Sequence, residues 1–205
     1  MTKTVIINYG MGNLHSVHSQ CKKLSSNVSV SSNYSDIMNA DKLILPGVGH
    51  FAKGMEKLSS MALIEIISER VLVHKVPILG ICLGMQLLSK FSEEGNVDGL
   101  GWIDSKTVEF NISNNRFKVP HMGWNSLCYI PDSDIFNGIN ENDEFYFVHS
   151  YHLSSSHKNM IIGKTNYFYD FISTVEKENI FGVQFHPEKS HEAGITVLKN
   201  FLRNI

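Results

Sequence analysis

The feature that most narrows the fold is an alternation, through the first half of the chain, between short apolar runs and helical patterns. Thr4 to Ile7 reads as a buried strand, left by the turn Asn8-Tyr-Gly-Met-Gly-Asn13, and a helix follows over about Leu14 to Leu24. Val28-Ser-Val30 fits a short strand within the serine-rich piece Ser25 to Ser35. Lys42 to Leu45 is the next strand, stopped by Pro46-Gly47. Leu63, Ile66, Ile67 and Val71 then share one face of a helix predicted over Met61 to His74. Val76 to Ile81 returns to strand, and Met85 to Phe91 begins another helix. Strands separated by helices pair in parallel and are covered on both faces, so the expected class is α/β with a mainly parallel central sheet flanked by helices.

The second half has a different texture. Lys106 to Phe110 and Arg116 to Val119, joined through Asn114-Asn115, read as a hairpin. Glu144 to His149, Met160 to Thr165, Phe168 to Val175 and Ile180 to Phe185 are further strands, and a closing helix runs from about His191 to Arg203. A smaller antiparallel portion is therefore expected beside the parallel sheet. No repeat or composition break marks a linker, so residues 1–205 are expected to form a single domain.

Composition removes several function classes. Eighteen basic and twenty acidic residues give a formal charge of −2, and no basic run exceeds Lys22-Lys23. No nucleic-acid partner is expected from such a charge pattern. No stretch approaches the roughly 20 apolar residues that span a bilayer, and the apolar run at the start is too short for a signal peptide, so no membrane is expected. The three cysteines, Cys21, Cys82 and Cys128, lie far apart without a C-x-x-C. That pattern suits neither a disulfide framework nor a zinc site and fits a cytoplasmic protein. Cys21 and Cys128 are expected to be structural.

Cys82 is different. Gly80-Ile-Cys82-Leu-Gly84 has the form G-x-C-x-G between a strand and a helix, the thiol version of a nucleophile elbow. A side chain on such a turn is thrust outward, glycines relieve Cβ clashes, and the following helix N-terminus favours thiolate. A thiolate mechanism needs a proton shuttle held by a third group. Gly182-Val-Gln-Phe-His186-Pro-Glu188 supplies both, because in extended backbone residues i and i+2 face the same side. Glu188 can then orient His186 and stabilise its imidazolium. Pro46-Gly47-Val48-Gly49 also follows a strand, and its backbone N–H groups suit an oxyanion hole.

Competing readings are weaker. Gly10-Met-Gly12 follows a strand, but His15 occupies the third glycine position of a dinucleotide fingerprint, and a tight turn accounts for it. His149 with His152, or His186 with His191, lacks the helical spacing of a zinc protease, so no metal is expected. A cysteine peptidase, a small-molecule hydrolase or a non-catalytic binding module could share an elbow; the intact Cys, His and Glu argue against the last.

Taken together, these motifs resemble the class I, triad-type glutamine amidotransferases, and among them the glutaminase subunits of imidazole glycerol phosphate synthase. The resemblance spans nearly the whole chain, through Tyr9-Gly-Met-Gly-Asn13, Leu45-Pro-Gly-Val-Gly49, Gly80-Ile-Cys-Leu-Gly-Met-Gln86, Pro120-His-Met-Gly-Trp-Asn125, Tyr146-Phe-Val-His-Ser-Tyr151 and Gly182-Val-Gln-Phe-His-Pro-Glu-Lys-Ser190. It implies a flavodoxin-like three-layer sandwich, with Cys82 as nucleophile, His186 as base then acid, and Glu188 as orienter. By the same resemblance Gln86 and the Ser150-Tyr151 backbone hold glutamine, while Leu83 and Gly47, Val48 and Gly49 form the oxyanion region. Asn13, His121, Met122 and Trp124 match positions at or near a partner interface. The implied partner is a TIM-barrel cyclase in a heterodimer, fed with ammonia for histidine biosynthesis, and no cofactor is implied. Asn8 and His50 depart from the pattern, where Asp and a small residue are usual. They leave open a paralogous role, feeding ammonia to a sugar-modifying enzyme of surface polysaccharide biosynthesis.

Overall fold

The computed structural model describes residues 2–113, 117–128, 132–156 and 160–205. Its strands in chain order are β1 (Thr4–Ile7), β2 (Val28–Ser31), β3 (Lys42–Gly47), β4 (Ile78–Cys82), β5 (Ser89–Ser92), β6 (Val97–Asp98) and β7 (Ile103–Glu109). They continue as β8 (His121–Ser126), β9 (Glu144–His149), β10 (Tyr151–Ser154), β11 (Ile161–Tyr167), β12 (Tyr169–Lys177) and β13 (Ile180–Val183). The helices are α1 (Leu14–Leu24), α2 (Tyr34–Met38), α3 (Phe51–Ser60), α4 (Leu63–Ser68), α5 (Leu83–Leu87) and α6 (His191–Arg203).

The main sheet runs β2-β1-β3-β4-β13-β12-β10-β7-β5-β6, with β11 paired to β12. Its first five strands are parallel neighbours. Beyond β13 the pairing turns antiparallel through β12, β10 and β7. Strands β8 and β9 form a separate antiparallel pair. The expected α/β class, with a parallel sheet and an antiparallel portion, is what the chain adopts.

The parallel strands read as unbroken apolar runs because both their faces are covered. Val5, Ile7, Leu43, Leu45 and Ile78 pack with Leu58, Ile66 and Ile67 on one side. Ile6, Ile44, Leu79 and Ile81 pack with Val17 and Cys21 of α1 and Val197, Leu198 and Phe201 of α6 on the other. Alternate residues of a strand point to opposite faces, so a single run fills two cores. Each fully buried Leu or Ile contributes roughly 1.5–3 kcal/mol. The result is helix, sheet and helix in three layers, with the C-terminal ends of β3, β4 and β13 side by side.

Two local expectations fail. The helix read over Met85 to Phe91 starts at Leu83, ends at Leu87, and gives way to strand β5. Short apolar runs suit either state, and pairing of β5 with β7, with Ser89 Oγ 3.0 Å from Thr107 Oγ1, decides for strand. The hairpin read from Lys106 to Val119 does not form. Strand β7 pairs with β10 and β5, and Phe117 to Val119 lie in no strand; Asn114, Asn115 and Arg116 lie outside the described residues. Long-range partners outcompete the local turn, helped by Phe110, whose buried ring packs against His149, His152 and Phe171. The predicted helix over Met61 to His74 is α4 continued by a π-helical turn, Glu69–Val73, which keeps Leu63, Ile66, Ile67 and Val71 buried.

Candidate active site

Strand β4 lies between β3 and β13 in the parallel half, and its last residue, Cys82, takes φ 53° and ψ −111° before α5 begins. A non-glycine residue in that region stores strain, which surrounding packing must hold. The packing is visible at the flanking glycines. A Cβ on Gly84 would stand 1.8 Å from the Leu45 carbonyl oxygen, and one on Gly80 would stand 2.8 Å from the backbone of Met85. These glycines serve close approach of α5 to the sheet. The helix itself has only five residues.

His186 arrives from the neighbouring strand. After β13 the chain bends at Gln184 and Phe185, and the His186 N–H donates to the Tyr146 carbonyl at 2.9 Å. Pro187–Lys189 then forms a 3-10 turn, and His186 Nδ1 meets Glu188 Oε1 at 2.9 Å. The pairing expected from extended i, i+2 geometry is therefore made by a turn. Ser190 secures it: its hydroxyl donates to the His186 carbonyl at 2.6 Å and accepts from the Tyr146 N–H at 2.9 Å.

Both members of the pair are buried, with side chains 2% and 1% exposed. Burial alone would push the His186 imidazole down. Its interactions with the Cys82 sulfur and then with the Glu188 carboxylate outweigh burial and raise it to about 10. His186 Nε2 is buried without a made hydrogen bond, as is Glu188 Oε2.

Cys82, Leu83, Gln86, Ser150, Tyr151 and His186 line one cavity of about 370 Å³, which Val48 and Gly49 also reach. Gly47 stands behind it: it is the β3 residue opposite Cys82, and a Cβ there would come 2.6 Å from Tyr9 Oη. Gly49 follows at φ +107°, a conformation that suits glycine. Gln86 Nε2 donates to the Tyr151 carbonyl at 2.8 Å and to Gln184 Oε1 at 3.0 Å. Gln184 Nε2 in turn donates to Cys82 Sγ at 3.6 Å. Glu94, Pro120, Val148 and His149 also border the cavity. Pro120, Val148 and His149 fall within motifs that carry the resemblance, though nothing local gives them a place in the cavity; Gln184 stands two residues before His186, and Glu94 carries no local signal.

Residues 5–205 match the family model for glutamine amidotransferase class-I. The chain belongs to the class I glutamine amidotransferases. It is 46% identical over 198 residues to imidazole glycerol phosphate synthase subunit HisH 2 of Methanococcus maripaludis, covering 97% of this chain and 98% of that protein. The subunit HisH 2 of Pseudomonas aeruginosa is 44% identical with the same coverage. Among solved structures, PurLQS from Thermotoga maritima superposes with a TM-score of 0.71 at 17% identity, covering 99% of this chain and 98% of that one. The Trypanosoma brucei CTPS glutaminase domain with bound acivicin gives 0.69 at 15%, covering 98% and 92%. At those identities the two structures speak for the fold alone.

The other residues singled out by the sequence of this glutamine amidotransferase chain lie outside the cavity lining. Met122 and Trp124 on β8 are exposed, at 62% and 43%. Trp124 stacks on His191 with ring centroids 4.8 Å apart, and Asn13 is half-buried at the N-cap of α1. His121, expected near the same interface, is buried beneath that face. Cys21 is buried, with its thiol pushed up to about 12 by burial and by the Glu188 charge, whereas Cys128 is exposed and does not serve the core. Asn8 accepts the Gly10 N–H at 3.1 Å, and His50 caps α3 by accepting the Ala52 N–H at 3.2 Å. Both departures from the family pattern thus have local roles in turns. Among the described residues, no helix is long and apolar enough to cross a membrane.

Proposed function

We propose that this chain hydrolyses the side-chain amide of glutamine through Cys82, His186 and Glu188 and passes the ammonia to a separate synthase subunit. One observation carries the reading: in a class I glutamine amidotransferase, a strained elbow cysteine shares a cavity with a buried, hydrogen-bonded His–Glu pair. The Cys82 thiolate attacks the carboxamide carbon, and the charge moves to the amide oxygen. The backbone around Leu83 and Gly47 to Gly49 receives that oxyanion, each donor being worth about 3–4 kcal/mol in the transition state. Imidazolium His186 gives its proton to the departing nitrogen, which leaves as ammonia. Neutral His186 then takes a proton from water as it attacks the thioester, and glutamate leaves with thiolate and imidazolium restored. Glu188 keeps the ring oriented throughout. Gln86 and the Ser150-Tyr151 backbone hold the substrate. Because both Nε2 hydrogens of Gln86 are already engaged, it offers substrate only its Oε1.

The names of the relatives support imidazole glycerol phosphate synthase as the assembly and histidine biosynthesis as the pathway. The partner in this reading is a TIM-barrel cyclase, docked over the exposed Met122 and Trp124 of β8, with Asn13 joining the interface by the family resemblance. Ammonia crosses a sheltered channel between the subunits in the cytoplasm. The test is Cys82→Ala in the complex recovered with its native partner. Glutamine-dependent synthesis disappears while added ammonia still sustains the partner's reaction; an equal fall in both would make Cys82 structural.

A further inference from the structure

A continuous run of hydrogen bonds connects the exposed strand β8 to the Cys82 sulfur, and the direction of each bond can be deduced. The Tyr151 carbonyl only accepts, so His149 Nδ1, 2.8 Å away, carries a proton. In a neutral ring His149 Nε2 is then an acceptor, and His121 Nδ1, 3.0 Å away, donates to it. His121 Nε2 is left to accept, and Asn125 Nδ2 approaches it at 3.4 Å while donating to the Asn166 carbonyl at 2.9 Å. The Tyr151 carbonyl takes its second bond from Gln86, whose other hydrogen goes to Gln184 Oε1. That last bond decides which way the Gln184 amide points. With its oxygen held by Gln86, its nitrogen faces Cys82 Sγ at 3.6 Å.

We propose that Gln184 is a catalytic residue that donates to the Cys82 thiolate, that Gln86, held by the Tyr151 carbonyl, is the positioning residue that fixes its amide orientation, and that His121 and His149 bear on that shared carbonyl from the β8 side. This deepens the reading of Cys82 as nucleophile and rests on it. The donor acts on the resting sulfur, where negative charge is concentrated, and its hold weakens once the charge has passed to the substrate oxygen. Other titratable groups also face the sulfur or its cavity. They are His186 with Glu188 from the turn after β13, Tyr9 from the turn after β1, His149 from β9, and Glu94 across the cavity. A neutral replacement of the Gln184 amide adds no charge beside them. Strand β8 also carries the exposed Met122 and Trp124, so a protein docking there bears on the first link of the chain.

The experiment is the rate of Cys82 alkylation by iodoacetamide between pH 5 and 10, read by peptide mass spectrometry so that exposed Cys128 does not contribute. Gln184→Met keeps much of the volume and removes the donor without adding a charge. Alkylation at neutral pH is expected to slow about fivefold, with the profile displaced to higher pH. His121→Leu, at the other end of the hydrogen-bond chain, is expected to shift the profile the same way by about twofold, and His121→Gln to restore part of it. Gln184→Leu repeats the test should the methionine variant fold poorly, with circular dichroism as the check on both. An unchanged profile in a folded Gln184 variant overturns the contact with sulfur. A shift with Gln184 variants but none with His121→Leu overturns the relay. The parent reading is tested separately, with a glutamine-mimicking electrophile on the wild-type complex: failure to label Cys82, with the iodoacetamide shifts intact, removes the glutaminase and leaves the hydrogen-bond chain standing.

Discussion

His186 and His149 repeat one local design with opposite outcomes. Each is buried, and each sets its Nδ1 against an oxygen two residues along the chain: Glu188 Oε1 at 2.9 Å for His186, the Tyr151 carbonyl at 2.8 Å for His149. Their second neighbours differ. Beyond His186 lies the Cys82 sulfur; beyond His149 lies another histidine, His121. The imidazole of His186 is raised to about 10, whereas burial holds His149 well below the usual value and His121 at about 4. Burial acts alike on the two rings, so it cannot explain the contrast. The charge on the neighbouring oxygen and sulfur does. One histidine is built to carry a proton and the other to stay neutral and keep a fixed tautomer.

The largest way to break the comparison is to remove the charged member. His186→Asn is expected to lower glutamine turnover about a thousandfold or more, measured as glutamate release in the assembled complex, with ammonia-dependent synthesis retained. A loss below tenfold would show that some other group moves the proton. Glu188→Gln makes His186 resemble His149, with a neutral oxygen on Nδ1. A fall of about 10- to 100-fold is expected, together with an alkaline limb of the rate profile moved to lower pH. An unmoved limb would deny Glu188 its part in raising the imidazole.

Smaller effects sharpen the neutral side. His149→Phe keeps a ring but leaves the buried His121 Nδ1–H without an acceptor, at a cost of about 2 kcal/mol. A melting temperature lower by roughly 4–8 °C follows for a chain of this size, and calorimetry reads it. An unchanged melting temperature would mean that His121 finds another partner. The last effect is on pH dependence, where the two sites have opposite signs. His186, raised, contributes stability that is whole below the unfolded value near 6.5 and is lost as pH climbs towards about 10. His121, depressed, contributes stability that is whole above 6.5 and is lost as pH falls towards about 4. Melts of His121→Phe between pH 7 and 4 should therefore show a shallower acid limb, by about 2 °C per pH unit. A parallel limb would make His121 silent.

Much of the fold was legible because its information is local. β1 and α1 stand at the residues read for them, and the closing helix spans His191–Arg203 as read. The two glycines around Cys82 and the His186–Glu188 spacing were equally plain, although the mechanism of that spacing was not: an extended pair was expected and a 3-10 turn is present. Strand β8 escaped notice because His121–Ser126 has no clean alternation and gains its order only from β9. Gln184 could be seen beside His186, but nothing local says that its amide faces sulfur.

Taken alone, the order of residues determined which stretches are apolar on both faces, where glycine must stand for backbones to touch, and which side chains are chemically able to act. Those properties reside in neighbours a few positions apart. Tertiary structure alone decided that Ser89–Ser92 is a strand, that His121 sits 28 residues from its ring partner, and that Gln184 reaches a sulfur 102 residues away. Such contacts cost loop-closure entropy and are chosen by what the whole core can pack, so no window of sequence contains them.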